Sequence, residues 1–271
     1  EKYPEQMYGV FPIEAPPVTD DWAFRLSTFK HCFCMSRFGT SLLNEKAVAA
    51  SFIPLGPNPS SWALVSPETR VQFKELLGFK AHPKTVLTIA DNQERKNLSQ
   101  TAEIMAATPG AYWILVTRID QPTGWNIIEM LNYYGIYDRT ILFDRGLTQE
   151  RLWGLYAAAD AFLITSKAEG LGMPVLQSML CGVPVVAPRH TSFEEHLGAE
   201  RGFLFPTTTR SLEPFGNEYR YFCDVSEGST ILKNVLAASD DLTMEWRQQR
   251  REYVAKRLPK ASAEVIHENL G

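Results

Sequence analysis

The sequence predicts an α/β protein built on a parallel sheet, and three observations carry that expectation. Between residues 85 and 205, short and almost continuously apolar runs alternate with segments of helical length; such strands are buried on both faces by the helices that follow them. One run, Ala161-Phe162-Leu163-Ile164-Thr165, leads into a glycine-containing loop, Ser166-Lys167-Ala168-Glu169-Gly170-Leu171-Gly172. Beyond the loop lies a short helix stopped by Gly182. Strand, glycine loop and helix in that order present backbone N–H groups to a phosphate.

From the N-terminus, residues 1–22 are rich in proline and aromatics (Tyr3, Pro4, Tyr8, Phe11, Pro12, Pro16, Pro17) and read as irregular. Asp20-Asp21-Trp22 starts a short helix through Phe29 with an acidic cap. Residues 31–36 read as a buried strand that includes His31, and 39–50 as the following helix. Residues 51–59 give a short strand and a Pro/Gly-dense linker, the first domain boundary. Ser66-Pro67-Glu68 opens a helix ending at Gly78, with proline at the first helical position. Strands are then expected at 85–90, 111–116, 140–143, 160–165, 184–187 and 202–205. Helices are expected between them at 97–107, 125–134, 149–158, 173–181 and 192–197. After an irregular stretch from 207, the remainder reads as helical, its longest segment at 242–258. The implied division is 1–58, 59–240 and 241–271.

The totals narrow the function classes. The 271 residues suffice for two domains, and 45% hydrophobic with 21% charged residues is ordinary for a soluble globular chain. A net charge of −4 and a pI near 5.8 give no global basic field for nucleic acid. Cys32, Cys34, Cys181 and Cys223 lack metal-ligand spacing, and read as buried thiols of a reducing, cytoplasmic compartment. No run approaches the ~18 apolar residues of a membrane span, and no signal-peptide pattern is present. The chain begins at Glu1, which is compatible with a further N-terminal segment. Gly-x-Ser-x-Gly, His-Glu-x-x-His and Walker motifs are absent, as are a Gly-x-Gly-x-x-Gly after the strand at 85–90 and an Asp-x-Asp pair after a strand.

In open parallel sheets ligands collect outside the carboxyl ends of the strands, and four loops there carry suitable residues. In Asp91-Asn92-Gln93-Glu94-Arg95-Lys96-Asn97, two adjacent cations precede a helix N-terminus, where they are unfavourable unless a diphosphate partners them. The alternative is a solvated turn with one salt bridge to Glu94. In the second loop, Gly170 and Gly172 permit close backbone approach and Glu169 suits hydroxyl groups, or the glycines merely make a tight turn. Asp144-Arg145-Gly146-Leu147-Thr148 lines a nucleobase pocket or is a turn in which Thr148 caps the next helix. In Arg189-His190-Thr191-Ser192-Phe193-Glu194-Glu195, the plain alternative is a cap at Thr191 or Ser192 beside a surface histidine.

Together these segments resemble the retaining GT-B glycosyltransferases typified by sucrose and glycogen synthases and bacterial mannosyltransferases. Ile53-Pro54-Leu55-Gly56 is similar to that family's interdomain linker, and Arg95-Lys96-Asn97 to its phosphate-binding loop. The segment from Leu147 to Asp160 is similar to the stretch before its signature. Ser166 through Gln177, followed by Cys181-Gly182-Val183-Pro184-Val185-Val186-Ala187, matches the signature itself.

The resemblance implies a GT-B-like fold: a Rossmann-like sheet with helices on both faces holds the donor, beside a partial N-terminal Rossmann-like domain. It implies a hexosyltransferase-like enzyme that moves a sugar with retention from a nucleotide diphosphate sugar to an unknown acceptor (glycan, lipid, protein or small molecule), with no metal or other cofactor. Arg95 and Lys96 would hold the diphosphate, with Ser166, Gly170, Leu171 and Gly172 at the phosphate and sugar. Glu169 would meet the sugar hydroxyls and Gln177 the ribose, and Asp144 and Arg145 are expected among the donor-binding residues.

Three departures stand out. Gln177 replaces the family's second glutamate, Ala90 or Asp91 stands where a further basic residue usually occurs, and 1–58 looks like only the last strand–helix units of an acceptor-side domain. The competing reading is a non-catalytic nucleotide-sugar-binding or assembly module, and the third a GT-B-like epimerase. The helix at 243–258 carries Arg247, Arg250, Arg251, Lys256 and Arg257 beside Met244, Trp246, Tyr253 and Val254. With Glu245 and Glu252 interspersed, it reads as the solvated face of a packed helix; peripheral membrane contact is the alternative.

Overall fold

The computed structural model describes residues 7–79, 83–198, 200–214, 217–257 and 259–270. Its centre is a six-stranded, wholly parallel sheet in the order β6-β5-β4-β7-β8-β9. The strands are β4 (Thr85–Ile89), β5 (Tyr112–Thr117), β6 (Thr140–Asp144), β7 (Ala161–Leu163), β8 (Val185–Pro188) and β9 (Phe203–Phe205). All six lie within a residue or two of the expected runs. Successive side chains leave a strand on opposite faces. Leu87, Ile114 and Phe162 therefore enter one core, with α3 (Pro67–Leu76), α6 (Gln149–Ala158), α7 (Met173–Cys181) and α8 (Thr191–Leu197). Val86, Leu115 and Leu163 enter the other, with α4 (Leu98–Ala106), α5 (Ile127–Tyr133) and α9 (Val225–Ala238).

A second, smaller parallel sheet is made by β1 (Tyr8–Phe11), β2 (His31–Cys34) and β3 (Ala50–Phe52), in that order. Around it pack α1 (Asp20–Ser27) and α2 (Arg37–Glu45). β1 corrects the expectation of an irregular start. Pro12, Pro16 and Pro17 follow the strand and do not interrupt it, so Gly9 and Val10 pair normally with Cys32 and Phe33. α2 starts earlier than expected because Ser36 accepts from the Gly39 N–H at 3.1 Å. It stops earlier because the chain turns left-handed at Ala47 (φ 57°) to return into β3. Burial lifts the Cys32 and Cys34 thiols to about 11, and all four cysteines are free and buried. His31 is half-buried and hydrogen-bonded to Ser51 Oγ at 2.9 Å.

Two further corrections concern the C-terminal part. The stretch after 207 is an antiparallel hairpin, β10 (Thr207–Leu212) with β11 (Tyr219–Cys223). The long basic helix is α10 (Met244–Ala255), followed by α11 (Pro259–Glu268); position 258, its expected end, lies outside the described residues, as do Tyr3 and Pro4.

The arginines of α10 and its end do not form a solvated face; they dock on carbonyl oxygens. Arg251 donates to the carbonyls of Trp62, Leu180 (2.8 Å) and Pro59 (2.7 Å). Arg247 donates to those of Gly182, Ser239 and Leu242, and Arg250 to that of Glu200. Arg257 pairs with Glu195 at 2.7 Å, while the other Glu195 oxygen takes the N–H groups of Arg37 (2.8 Å) and Phe38 (3.3 Å) at the start of α2. One carboxylate thus joins the small sheet's helix to the chain's C-terminal part. Among the described residues no helix is long and apolar enough to cross a membrane.

Arg251 gathers the carbonyls of Pro59, Trp62 and Leu180, the last of them in the final turn of α7, where helix geometry supplies no partner. Replacing it by Met keeps the aliphatic stem and removes the donors. Arg251→Met should lower unfolding free energy by about 2–3 kcal/mol in urea titration; an unchanged midpoint would show that the clamp does not contribute.

Candidate functional site

Strand order reverses between β4 and β7: the chain leaves β4 toward β5 on one side and, after β6, returns to β7 on the other. Loops leaving neighbouring strands in opposite directions open a crevice at that point. The loop after β4 contains a 3₁₀ turn, Glu94–Lys96. The loop after β7 runs through Ser166–Gly172 into α7, whose cap, Gly172, is left-handed (φ 71°). Beneath the crevice the two loops are stitched together: Thr165 Oγ1 donates to the Asn97 carbonyl (3.0 Å), and Asn97 Nδ2 donates to the Thr165 carbonyl (3.3 Å).

Above that stitch sits Glu169, its side chain 7% exposed. Lys96 forms an ion pair with its Oε1, and Arg95 Nη1 lies 3.6 Å from the same oxygen while donating to the Ala168 carbonyl at 2.8 Å. Burial pushes the Glu169 carboxyl up, but the Lys96 and Arg95 charges outweigh it, and the net shift is downward. Glu94, the partner in the alternative reading of a solvated turn, instead pairs with Lys167.

The loop after β8 completes the wall. The Glu169 N–H donates to Thr191 Oγ1 (3.3 Å), and the Ser192 N–H to the Glu169 carbonyl (3.3 Å). Thr191 is therefore not the cap of α8; it sits in a left-handed conformation (φ 45°) that turns its hydroxyl toward Glu169. His190 is not on the surface either. It is 4% exposed, stacked on Tyr221 of β11 (centroids 4.9 Å, 10° between planes), and burial drops its pKa to about 4. His196, driven by burial to about 3, donates from Nε2 to the Leu171 carbonyl at 2.8 Å and so fixes the glycine loop. Ser166 Oγ, Ser192 Oγ and His190 Nε2 are buried with no hydrogen-bond partner among the described residues. All three atoms lie in the loops that touch at Glu169, and Ser166 stands close enough to that carboxylate to help lower it.

The N-terminal segment closes the crevice from the other side. A Cβ on Gly170 would come within 3.0 Å of Pro12 Cβ and 3.1 Å of the Ile13 carbonyl oxygen, so this position takes no side chain without moving the segment. Glu14 Oε1 then meets Arg95 Nη2 at 3.0 Å. Burial raises the Glu14 carboxyl, opposed by Arg95 and reinforced by repulsion from Glu169.

Of the expected site residues, Arg95, Lys96, Ser166, Glu169, Gly170, Leu171 and Gly172 are brought together. Gln177 lies in the second turn of α7, half-buried, its Oε1 accepting from Tyr156 Oη at 3.1 Å. Asp144 and Arg145 are exposed at the end of β6, the edge strand, and among the described residues no hydrogen bond or ion pair joins them to Glu169. Asp144 accepts from the N–H groups of Ile119 and Arg145, and Thr148 caps α6. Sequence reasoning missed Glu14 and Tyr221, because both lie in segments that read as irregular.

Fold and site define an α/β protein of GT-B architecture with a charged crevice at its topological switch point. The model of the family "Glycosyl transferases group 1" matches residues 71–213, just over half of the chain, and the chain belongs to that family. The O-antigen chain mannosyltransferase B of Escherichia coli is 32% identical over 120 residues, covering 41% of this chain and 30% of that protein. The serotype-specific mannosyltransferase WbdA of E. coli is 28% identical over 126 residues, covering 45% of this chain and 16% of that protein. The chain thus spans less than a third of the length of either relative. HepE of Anabaena, solved in complex with UDP and glucose, superposes with a TM-score of 0.71 at 17% identity over 96% of this chain and 70% of that one.

The pH dependence follows from the buried groups. Glu169 is held below its ordinary value of 4.5, and the two histidines below 6.5. In each case the unfolded chain binds more protons, so stability rises with pH across the window. Stability in urea should therefore decline from about pH 6.5 downward, before carboxylates titrate. The decline should be shallower in His196→Gln; identical pH slopes for the two proteins would contradict this account.

Proposed function

We propose that the crevice binds the diphosphate and sugar of a nucleotide diphosphate sugar, and that the protein transfers this sugar to an acceptor with retention and without a metal. The observation that carries the reading is the buried Glu169 carboxylate, held by Lys96 and Arg95 beneath the Gly170–Gly172 loop at the β4/β7 switch point. Glycosyl transfer leaves negative charge on the departing diphosphate. Lys96 and Arg95 stabilise that charge as it develops, the role a metal ion plays elsewhere. Glu169, acceptor-only when ionised, orients the sugar hydroxyls. The orphaned Ser166 and Ser192 hydroxyls and the neutral His190 ring complete the polar wall. Gln177 takes the ribose, and the backbone around Asp144 and Arg145 the base. Retention is assigned to same-face attack in an ion-pair-like state, with no protein nucleophile.

In this reading the segment 1–58 is the acceptor-side part, 59–240 the donor domain and 241–271 the helices that bind the two together. The four buried free thiols suit a reducing, cytoplasmic setting. The donor diphosphate and Glu14 seek the same guanidinium, so Glu14 is a competitor built into the fold.

Calorimetric titration with UDP-, GDP- and ADP-sugars tests the proposal. Lys96→Ala should weaken the preferred donor by roughly ten- to a hundredfold, the loss of one charge-assisted contact, whereas Glu14→Ala should tighten it. Gln177→Glu should also tighten it through a stronger ribose hydrogen bond. Failure of every nucleotide sugar to bind would refute the reading. Tight binding without transfer to any acceptor extract would leave a binding module in place of an enzyme.

A further inference from the structure

At the opposite edge of the sheet, where β4 and β7 begin, lies a cavity of about 370 Å³ that no part of the donor crevice reaches. Four cations, Arg70, Lys74, Lys84 and Arg247, face two carboxylates, Asp160 and Asp240, across it. Two positive charges are therefore left without a counter-charge in its wall.

The carboxylates are already committed. Asp160 Oδ2 takes Lys74 Nζ at 2.6 Å and the Thr85 N–H at 2.8 Å, and Asp240 Oδ2 takes Lys84 Nζ at 2.6 Å. Arg247 is saturated by backbone carbonyls. Arg70 is the group left short. Its side chain is 8% exposed, its Nε donates to the Ala159 carbonyl at 3.1 Å and lies 3.9 Å from Asp160, and its Nη2 is buried with no hydrogen-bond partner among the described residues. A buried guanidinium with an unused donor is costly, and an oxyanion supplies the missing acceptor in the geometry Arg favours. Val71, Leu242 and Met244 form an apolar wall beside it, and the volume is at the small end for organic ligands.

We propose that this cavity is a second anion site, separate from the donor crevice, that takes the phosphate of a small phosphomonoester against Arg70 and Lys84. Lys84 and Asp240 stand at the rim, their side chains 32% and 72% exposed, so both can be changed without disturbing the buried Arg70–Lys74–Asp160 cluster. Lys84→Gln removes a cation that would contact the phosphate. Asp240→Asn removes the anion that now holds Lys84 back.

The test is titration of the full chain with inorganic phosphate and with glycerol 3-phosphate, followed by calorimetry in sulfate-free buffer. Lys84→Gln should weaken binding by about fivefold and Asp240→Asn should strengthen it by about threefold, the size of single charge contacts at a partly exposed rim. Lys96→Ala, at the donor crevice, should leave this affinity in place. The proposal fails if neither ligand binds, if the two rim variants do not move affinity in opposite directions, or if all phosphate binding disappears with Lys96→Ala.

Discussion

The structure turns on keeping one carboxylate ionised inside protein. Glu169 is buried in a loop that the reversal of strand order places directly across from the loop after β4. A carboxylate buried alone takes up a proton; this one stays charged because Lys96 and Arg95 arrive from the facing loop. The attraction needs the 3₁₀ turn at Glu94–Lys96, the Asn97–Thr165 stitch and the β4–β7 register to hold the loops at that separation. Reciprocally, removing either side leaves a buried charge unmatched, a larger penalty than the pair's own contribution.

A second set of constraints acts on backbone polarity. Carbonyls at the ends of α7 and α9 and in the connecting segments face protein, and the arginines of α10 meet them: Arg251 at Pro59, Trp62 and Leu180, Arg247 at Gly182, Ser239 and Leu242. α10 is thus a row of long hydrogen-bond donors that fastens residues 59–62 to the end of α7. Gly182, left-handed at φ 72°, admits Arg247 because a Cβ there would lie 2.9 Å from Arg247 Cβ. The charged cluster of Arg95, Lys96 and Glu169 lies beyond the carboxyl ends of β4 and β7, whereas Gly182, which Arg247 meets, lies at the end of α7, ahead of β8.

Much of this was legible in the sequence where burial dictates residue type. The strands of the large sheet are apolar on both faces, and Gly172 and Gly182 mark left-handed caps, so the elements from 85 to 205 were readable within a residue or two. The loops carrying Arg95, Lys96 and Glu169 were readable from their motif. Their meeting across β4 and β7 is a property of topology that no local pattern encodes. β10, Thr207–Leu212, is almost wholly polar and exposed, so it lacks the alternation that announces a strand. The α10 arginines misled for a related reason: carbonyl acceptors are invisible in sequence, and a buried arginine spells the same as a solvated one. His190 and Thr191 depended on the same hidden information, since only the β11 hairpin and the left-handed backbone make them inward-facing.

Glu14 gives the crevice the character of an ion exchanger with one exchangeable anion permanently tethered. Under the proposed function, a donor arriving at Arg95 exchanges with a carboxylate that stays on the same chain, at an effective concentration set by the short connection through Ile13 and Pro12. That carboxylate is at hand when the bond to the sugar breaks. As the spent nucleotide loosens from Arg95, Glu14 can refill the vacancy before bulk anions do, trading some ground-state affinity for a shorter residence time of the product.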